Sequence, residues 1–178
     1  MKKLILKTKL RGRDEFEAKL DKTGFDLSPI FWQHDRVYLP RGFKHGENFP
    51  RLILRTEMRA VDRPAKYSLL LKRHLEGSGL DVVFETKVDD YKSAAGLALQ
   101  LGFELSSEIS RKRQEIRLSK TEVLYLDKIE DLPNYFCKLE RELTDSDKPE
   151  IVRQDLEHFM SNLGETSFVR QSYAELLP

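Results

Sequence analysis

Along most of the chain, apolar and polar side chains alternate one by one, the period of a β-strand rather than a helix. The opening stretch KLILKTKLRG puts Leu4, Leu6, Thr8 and Leu10 on one face and Lys3, Ile5, Lys7, Lys9 and Arg11 on the other. FWQHDRVYLP (31–40) reads as a strand ended by Pro40, and in RLILRTEMR (51–59) Arg51, Ile53, Arg55, Glu57 and Arg59 oppose Leu52, Leu54, Thr56 and Met58. KYSLLLKRH (66–74) aligns Lys66, Ser68, Leu70, Lys72 and His74, and DVVFETKV (81–88) aligns Asp81, Val83, Glu85 and Lys87. EISRKRQEIRL (108–118) aligns Arg111, Arg113, Glu115 and Arg117, and TEVLYLDKI (121–129) aligns Val123, Tyr125 and Asp127. YFCKLEREL (135–143) aligns Phe136, Lys138, Glu140 and Glu142 and completes eight predicted strands.

Helical spacing appears between and after them. Phe16 and Leu20 lie four apart in a segment, 13–23, stopped by Gly24, and 90–102 has Asp90 as its cap and Gly102 as its stop. Ile151, Leu156, Phe159 and Leu163 mark a helix within 147–164, and SYAELL (172–177) predicts a last turn or two. The polar, Gly-rich RGFKHGENFP (41–50) reads as a loop.

Each strand has one apolar face that must be covered. An open antiparallel sheet with helices on one side and water on the charged side meets that need and is the commoner arrangement. A closed barrel turned inside out, with helices outside and charges lining the lumen, meets it as well. Cations crowded into such a lumen repel one another unless a polyanion binds there. Periodicity leaves both architectures open.

With 178 residues the chain is long enough for one domain, expected over 1–178. Its 31 Lys and Arg against 30 acids give a net charge of +1, so the total charge points to neither duplex nucleic acid nor a membrane surface, and any basic site is a local concentration. Cys137 is the one cysteine, which excludes an internal disulfide, and the first residues hold no apolar run fit for a leader or a span; a cytoplasmic protein is expected. Cys137 lies beside Tyr135 and Leu139 and reads as a buried thiol, and Phe31 and Trp32 read as core. His34, His45, His74 and His158 follow no zinc spacing, and no Walker-type glycine loop is present.

The order of local patterns resembles the CYTH superfamily of triphosphate tunnel proteins, which includes class IV adenylyl cyclases, thiamine triphosphatases and inorganic triphosphatases. The fragments that carry the resemblance are ILKTK (5–9), DRVY (35–38), ILR (53–55), LLLK (69–72), FETKV (84–88), LGF (101–103), RKR (111–113), YLD (125–127), KLE (138–140) and SY (172–173). Each is short, and their order over nearly the whole chain is the specific signal. The resemblance implies an α+β fold: an eight-stranded antiparallel barrel with a charged lumen and helices packed outside. It implies that Lys9, Arg55, Lys72, Arg111 and Arg113 hold phosphate oxygens, a task suited to Arg forks and Lys point charges. It also implies that Asp127 and Glu140 hold Mg²⁺ or Mn²⁺ through carboxylate oxygens, and in an active hydrolase the remaining acids Glu57, Glu85 and Glu142 are expected to join them around one ion.

The departures from the family pattern fall on the metal side. Ile5, Lys7 and Lys138 stand where the family has acids, and Ile53 stands for the first arginine of an R-x-R strand. A protonated lysine repels a divalent ion, so Lys7 and Lys138 are expected to face the phosphates directly, partly in place of a metal. Three functions remain open: a metal-dependent triphosphate phosphohydrolase, a catalytically impaired module that binds a polyphosphate, nucleotide or other organic triphosphate, and an adenylyl cyclase. A homodimer is compatible with the sequence.

Overall fold

The computed structural model describes residues 1–44, 49–75 and 79–177; part of the loop expected over 41–50, His45 included, lies outside them. The strands are β1 (Lys2–Lys9), β2 (Phe31–Pro40), β3 (Arg51–Met58), β4 (Lys66–Leu75), β5 (Leu80–Val88), β6 (Phe103–Arg117), β7 (Glu122–Ile129) and β8 (Tyr135–Leu143). They close into one barrel in the order β1-β5-β4-β3-β2-β6-β7-β8, with every neighbouring pair antiparallel. Closure removes the sheet edges and decides between the two architectures that alternation allowed.

The barrel is inside out. The outward apolar residues Leu4, Leu6, Leu124, Leu126, Cys137 and Leu139 pack with Phe16 and Leu20 of α1 (Arg13–Asp21) and with Val152, Leu156 and Met160 of α3 (Pro149–Asn162). On the opposite side, Ala98 of α2 (Tyr91–Gln100) packs on Tyr38, Leu52 and Leu54. The Asp90 side chain accepts from the Ser93 N–H at 3.0 Å to start α2, and Gly102, at φ +84°, ends it in the left-handed conformation that glycine adopts without strain. Pro149 opens α3, where its missing N–H costs nothing.

A fourth helix, α4 (Tyr173–Leu176), enters the barrel instead of covering it. Tyr173 and Ala174 pack on Val37, Ile109 and Phe136, so these strand faces are apolar where the helix docks and charged elsewhere. The segment before it is tied to β1: Phe168 bridges Thr8, and the Val169 N–H donates to the Lys7 carbonyl at 2.7 Å. Ser172 caps α4 in a capping box with Glu175.

Three sequence expectations are corrected. β6 begins at Phe103, not near Glu108, because β2 offers Tyr38, Leu39 and Pro40 as pairing partners beyond a register shift after Val37. Trp32 is exposed on the outer face, under Lys112 with Nζ 4.7 Å from its ring, while its neighbour Phe31 is buried; adjacent strand residues point to opposite sides. Ile151 is exposed, and Val152, Leu156 and Met160 form the buried stripe of α3.

Candidate functional site

The barrel encloses a cavity of about 1060 Å³, lined by ten Lys and Arg side chains and six carboxylates. Alternation builds this lining, since every second residue of a closed sheet points inward. Lys7, Arg55, Lys72, Arg111, Arg113 and Lys138 all line it. Lys9 does not: it shares the parity of Lys7 but lies at the exposed end of β1, opposite Phe136.

Carboxylates divide up most of the cations. Asp35 takes Arg55 in a two-pronged pair, Nε to Oδ1 at 2.7 Å and Nη2 to Oδ2 at 2.9 Å, and also takes Nη2 of Arg111. Asp127 takes Arg113 the same way at 2.6 and 2.7 Å, and the Tyr173 hydroxyl donates to it at 2.8 Å. Glu140 receives Lys138 at 2.6 Å and Lys3 at 3.2 Å. Lys72 pairs with Asp81 at 2.9 Å, and His74 Nδ1 lies 3.1 Å from the same carboxylate. The buried Nε of Arg111 has no hydrogen-bond partner among the described residues.

Burial opposes every one of these charges, and the neighbours decide the outcome. Burial would raise the Asp127 carboxyl, but the Arg113 guanidinium overcomes it and holds Asp127 well below the usual carboxylate range. Glu140 is likewise held low, Lys138 and Lys3 outweighing burial. Lys138 is pushed down to about 7 by burial and by Arg113 and Arg111, against the pull of Glu140. Lys7 is pushed down to about 8 by burial and by Lys72 and Arg51. Burial and Glu140 raise Tyr125, whose ring faces Arg113 and Lys138, to about 12.

Lys7 differs from the other luminal lysines. Its ammonium donates to the Gln171 carbonyl and stands 4.5 Å from the centre of the Tyr173 ring, with no carboxylate paired to it among the described residues. Arg51 is held almost as loosely: it pairs with Glu175 at 4.0 Å, and that carboxylate already accepts from the Ser172 N–H and hydroxyl.

The acids expected to hold Mg²⁺ or Mn²⁺ are not gathered. Asp127 is fully buried with both oxygens taken, Glu140 lies between two ammonium groups, Glu142 is half exposed at 3.8 Å from Lys3, and Glu85 is exposed. Ile5 and Lys138 sit across from Glu140 and Lys7 in the β1–β8 register, so the neighbourhood that would complete a cage is apolar and cationic. Among the described residues no three His, Cys, Asp or Glu side chains are arranged for a metal ion. This donor set, as placed, does not fit a resident divalent cation.

Sequence reasoning missed Asp35, Arg51, Tyr125 and Tyr173 as parts of the site. Asp35, Arg51 and Tyr125 lie on strands, where parity was the available signal, whereas Tyr173 lies on α4 and was flagged only by the SY fragment. Parity does not say which cation each carboxylate takes.

No protein-family model and no curated protein matches the chain. Solved structures do. PH1819 from Pyrococcus horikoshii OT3 is 21% identical over 98% of this chain and 97% of its own, with a TM-score of 0.83. A candidate adenylate cyclase from Vibrio parahaemolyticus is 16% identical over 98% and 96%, with a TM-score of 0.78. The candidate adenylyl cyclase HpAC1 from Hippeastrum, described as having a dominant triphosphatase activity, is 18% identical over 92% and 88%, with a TM-score of 0.61. These likenesses show that the chain shares its fold with these proteins, and the closed eight-stranded barrel with helices outside is the architecture that the resemblance to the CYTH superfamily implies. No described helix is long and apolar enough to cross a membrane.

Proposed function

We propose that this chain, one CYTH-like domain over 1–178, captures a triphosphate or a related phosphorylated small molecule, such as a nucleotide, by direct contact with luminal cations. The observation that carries this reading is the excess of ten cations over six carboxylates around one enclosed cavity, with Lys7 buried and given no carboxylate of its own. A buried ammonium without an acid is costly, and an anionic ligand is what relieves it. The adenylate cyclase and triphosphatase descriptions of the Vibrio and Hippeastrum proteins support a nucleotide or triphosphate as the ligand class. The cytoplasm, where a lone thiol is at home, suits such a ligand.

The binding is read as independent of a protein-held metal, because Asp127 and Glu140 already serve Arg113, Lys138 and Lys3. The second reading, a triphosphate phosphohydrolase, is favoured by the Hippeastrum description. One experiment separates them: thermal unfolding with tripolyphosphate, pyrophosphate, ATP or thiamine triphosphate, each in EDTA and in Mg²⁺, with released orthophosphate measured in parallel. Tripolyphosphate should raise the midpoint in EDTA, since a ligand at a hundred times its Kd stabilises by about 2.7 kcal/mol. Rapid orthophosphate release in Mg²⁺ would favour the hydrolase, and no shift with any ligand in either condition would overturn the binding reading.

A further inference from the structure

Six of the ten cations that line the tunnel fall into two sets. Arg55 and Arg111 share Asp35, and Arg113 is clamped by Asp127, so in this group each guanidinium is already held by a carboxylate, three cations on two acids. Lys7, Arg51 and Lys72 form the other set, held less tightly: Lys7 has a carbonyl, Arg51 has Glu175 at 4.0 Å, and Lys72 has Asp81, which His74 also contacts. Arg51 and Lys72 are directly paired across β3 and β4 and both line the cavity, on the side bordered by residues 168–175. Lys7 faces the same space from β1 and is held there by the Gln171 carbonyl.

We propose that Lys7, Arg51 and Lys72 form the primary subsite for one phosphoryl group, with Arg51 as a binding residue in place of an arginine at position 53. This rests on the phosphate-binding reading above. Ile53 lies between Arg51 and Arg55 on the inward face of β3, so the cation that position 53 lacks is supplied two residues earlier on the same face. A guanidinium fork and two ammonium groups are the donor set for a tetrahedral dianion. Arg51 and Lys72 are neighbours across β3 and β4 and line the same cavity as Lys7, and after burial their charges help to lower the Lys7 ammonium. Asp81 on Lys72 and Glu175 at 4.0 Å from Arg51 offset the repulsion only in part.

A longer polyphosphate has a second contact available. The Tyr173 ring lies 4.5 Å from Lys7 Nζ and 5.7 Å from the Arg111 guanidinium carbon, so it is close both to the open subsite and to Arg111, whose buried Nε lacks a partner among the described residues. Orthophosphate therefore needs the Lys7, Arg51 and Lys72 subsite alone, and tripolyphosphate adds Arg111.

Calorimetric titration with orthophosphate and with tripolyphosphate, in EDTA, tests this on the intact chain. Arg51→Gln and Lys7→Met should each weaken both anions by about tenfold or more, and Arg51→Lys should recover part of the loss. Lys3→Gln removes the same unit of charge from a lysine already paired with Glu140 and should weaken binding by no more than about threefold. Asp35→Asn releases Arg55 and Arg111 and should leave orthophosphate affinity nearly unchanged. Arg51→Gln and Lys7→Met that bind like the unmodified protein would overturn the subsite while leaving the phosphate-binding reading intact. Orthophosphate binding that tightens strongly in Asp35→Asn would place the anion on Arg55 and Arg111 instead. If Asp35→Asn fails to fold by circular dichroism, the Arg51 and Lys3 variants decide alone. An unmodified protein that binds neither anion, with or without Mg²⁺, would overturn the functional reading and the subsite together.

Discussion

Arg113 and Lys7 are both buried cations facing one cavity, 2% and 8% exposed, and they are solvated by opposite means. Arg113 has a carboxylate geometry matched to its fork, and Tyr173 satisfies a remaining lone pair of that carboxylate. Lys7 has a peptide carbonyl and an aromatic face, neither of which carries a full negative charge. The first arrangement is complete without a ligand and holds the barrel together at its centre. The second is incomplete, which is how a binding wall differs from a structural ion pair of the same sign and depth.

The comparison predicts the largest stability loss at the complete pair. Asp127→Asn leaves Arg113 buried without its counter-charge and should cost about 3–5 kcal/mol in urea unfolding, since breaking a buried pair strands the partner. A loss near zero would mean that Arg113 is solvated by water in the cavity and that the pair is not structural.

Next in size is a pH dependence set by the incomplete wall. Lys7 and Lys138 are held at about 8 and about 7, below the ordinary 10.5, so between about pH 8 and pH 10 the unfolded chain binds more protons than the folded one. Stability therefore rises with pH across that window, by on the order of 2 kcal/mol for Lys7. Above pH 10 Tyr125, raised to about 12, acts in the opposite sense, because the unfolded chain then loses protons first. Denaturant midpoints of the empty protein at pH 7, 8, 9 and 10 should climb, and Lys7→Met should flatten the climb. A flat profile in the unmodified protein would show that Lys7 keeps its ordinary pKa and is well hydrated.

The smallest effect is expected outside the barrel. Glu108 pairs with Arg36 at 2.5 Å, but both side chains are more than a third exposed. Glu108→Gln should change stability by no more than about 0.5 kcal/mol at 0.15 M salt, as exposed pairs do. A cost comparable to Asp127→Asn would erase the distinction between paired charges that the lumen buries and those the surface leaves wet.

Much of this was readable from residue order. The strand at 135–143 and that at 31–40 have the bounds that alternation and the Pro40 stop predict, and Cys137 is buried on the outward face as its neighbours implied. Parity also put Lys3 and Lys7, Arg55, and Arg111 and Arg113 on the charged face of their own strands, and the family resemblance, not parity, implied that these faces line one lumen. Lys9 shows the limit of parity: the alternation continues past the point where the barrel ends, so the same face meets solvent. Trp32 and Ile151 show another, because apolar residues at a regular spacing are buried only where some other element covers them.

Alternation along the chain determined the strands, the sidedness of each and the polarity of the surface each would offer, since these depend on the fixed geometry of successive residues. Closure, and with it the inward direction of the charged face, depended on β1 meeting both β5 and β8, contacts far apart in sequence that no local pattern encodes. Asp35 and Arg111, Asp127 and Tyr173, and Lys7 and Gln171 are likewise far apart in sequence, by 76, 46 and 164 residues. Which cations are neutralised and which are left for a ligand was therefore decided only by the tertiary structure, because pairing energy depends on separation in space and on burial, not on position along the chain.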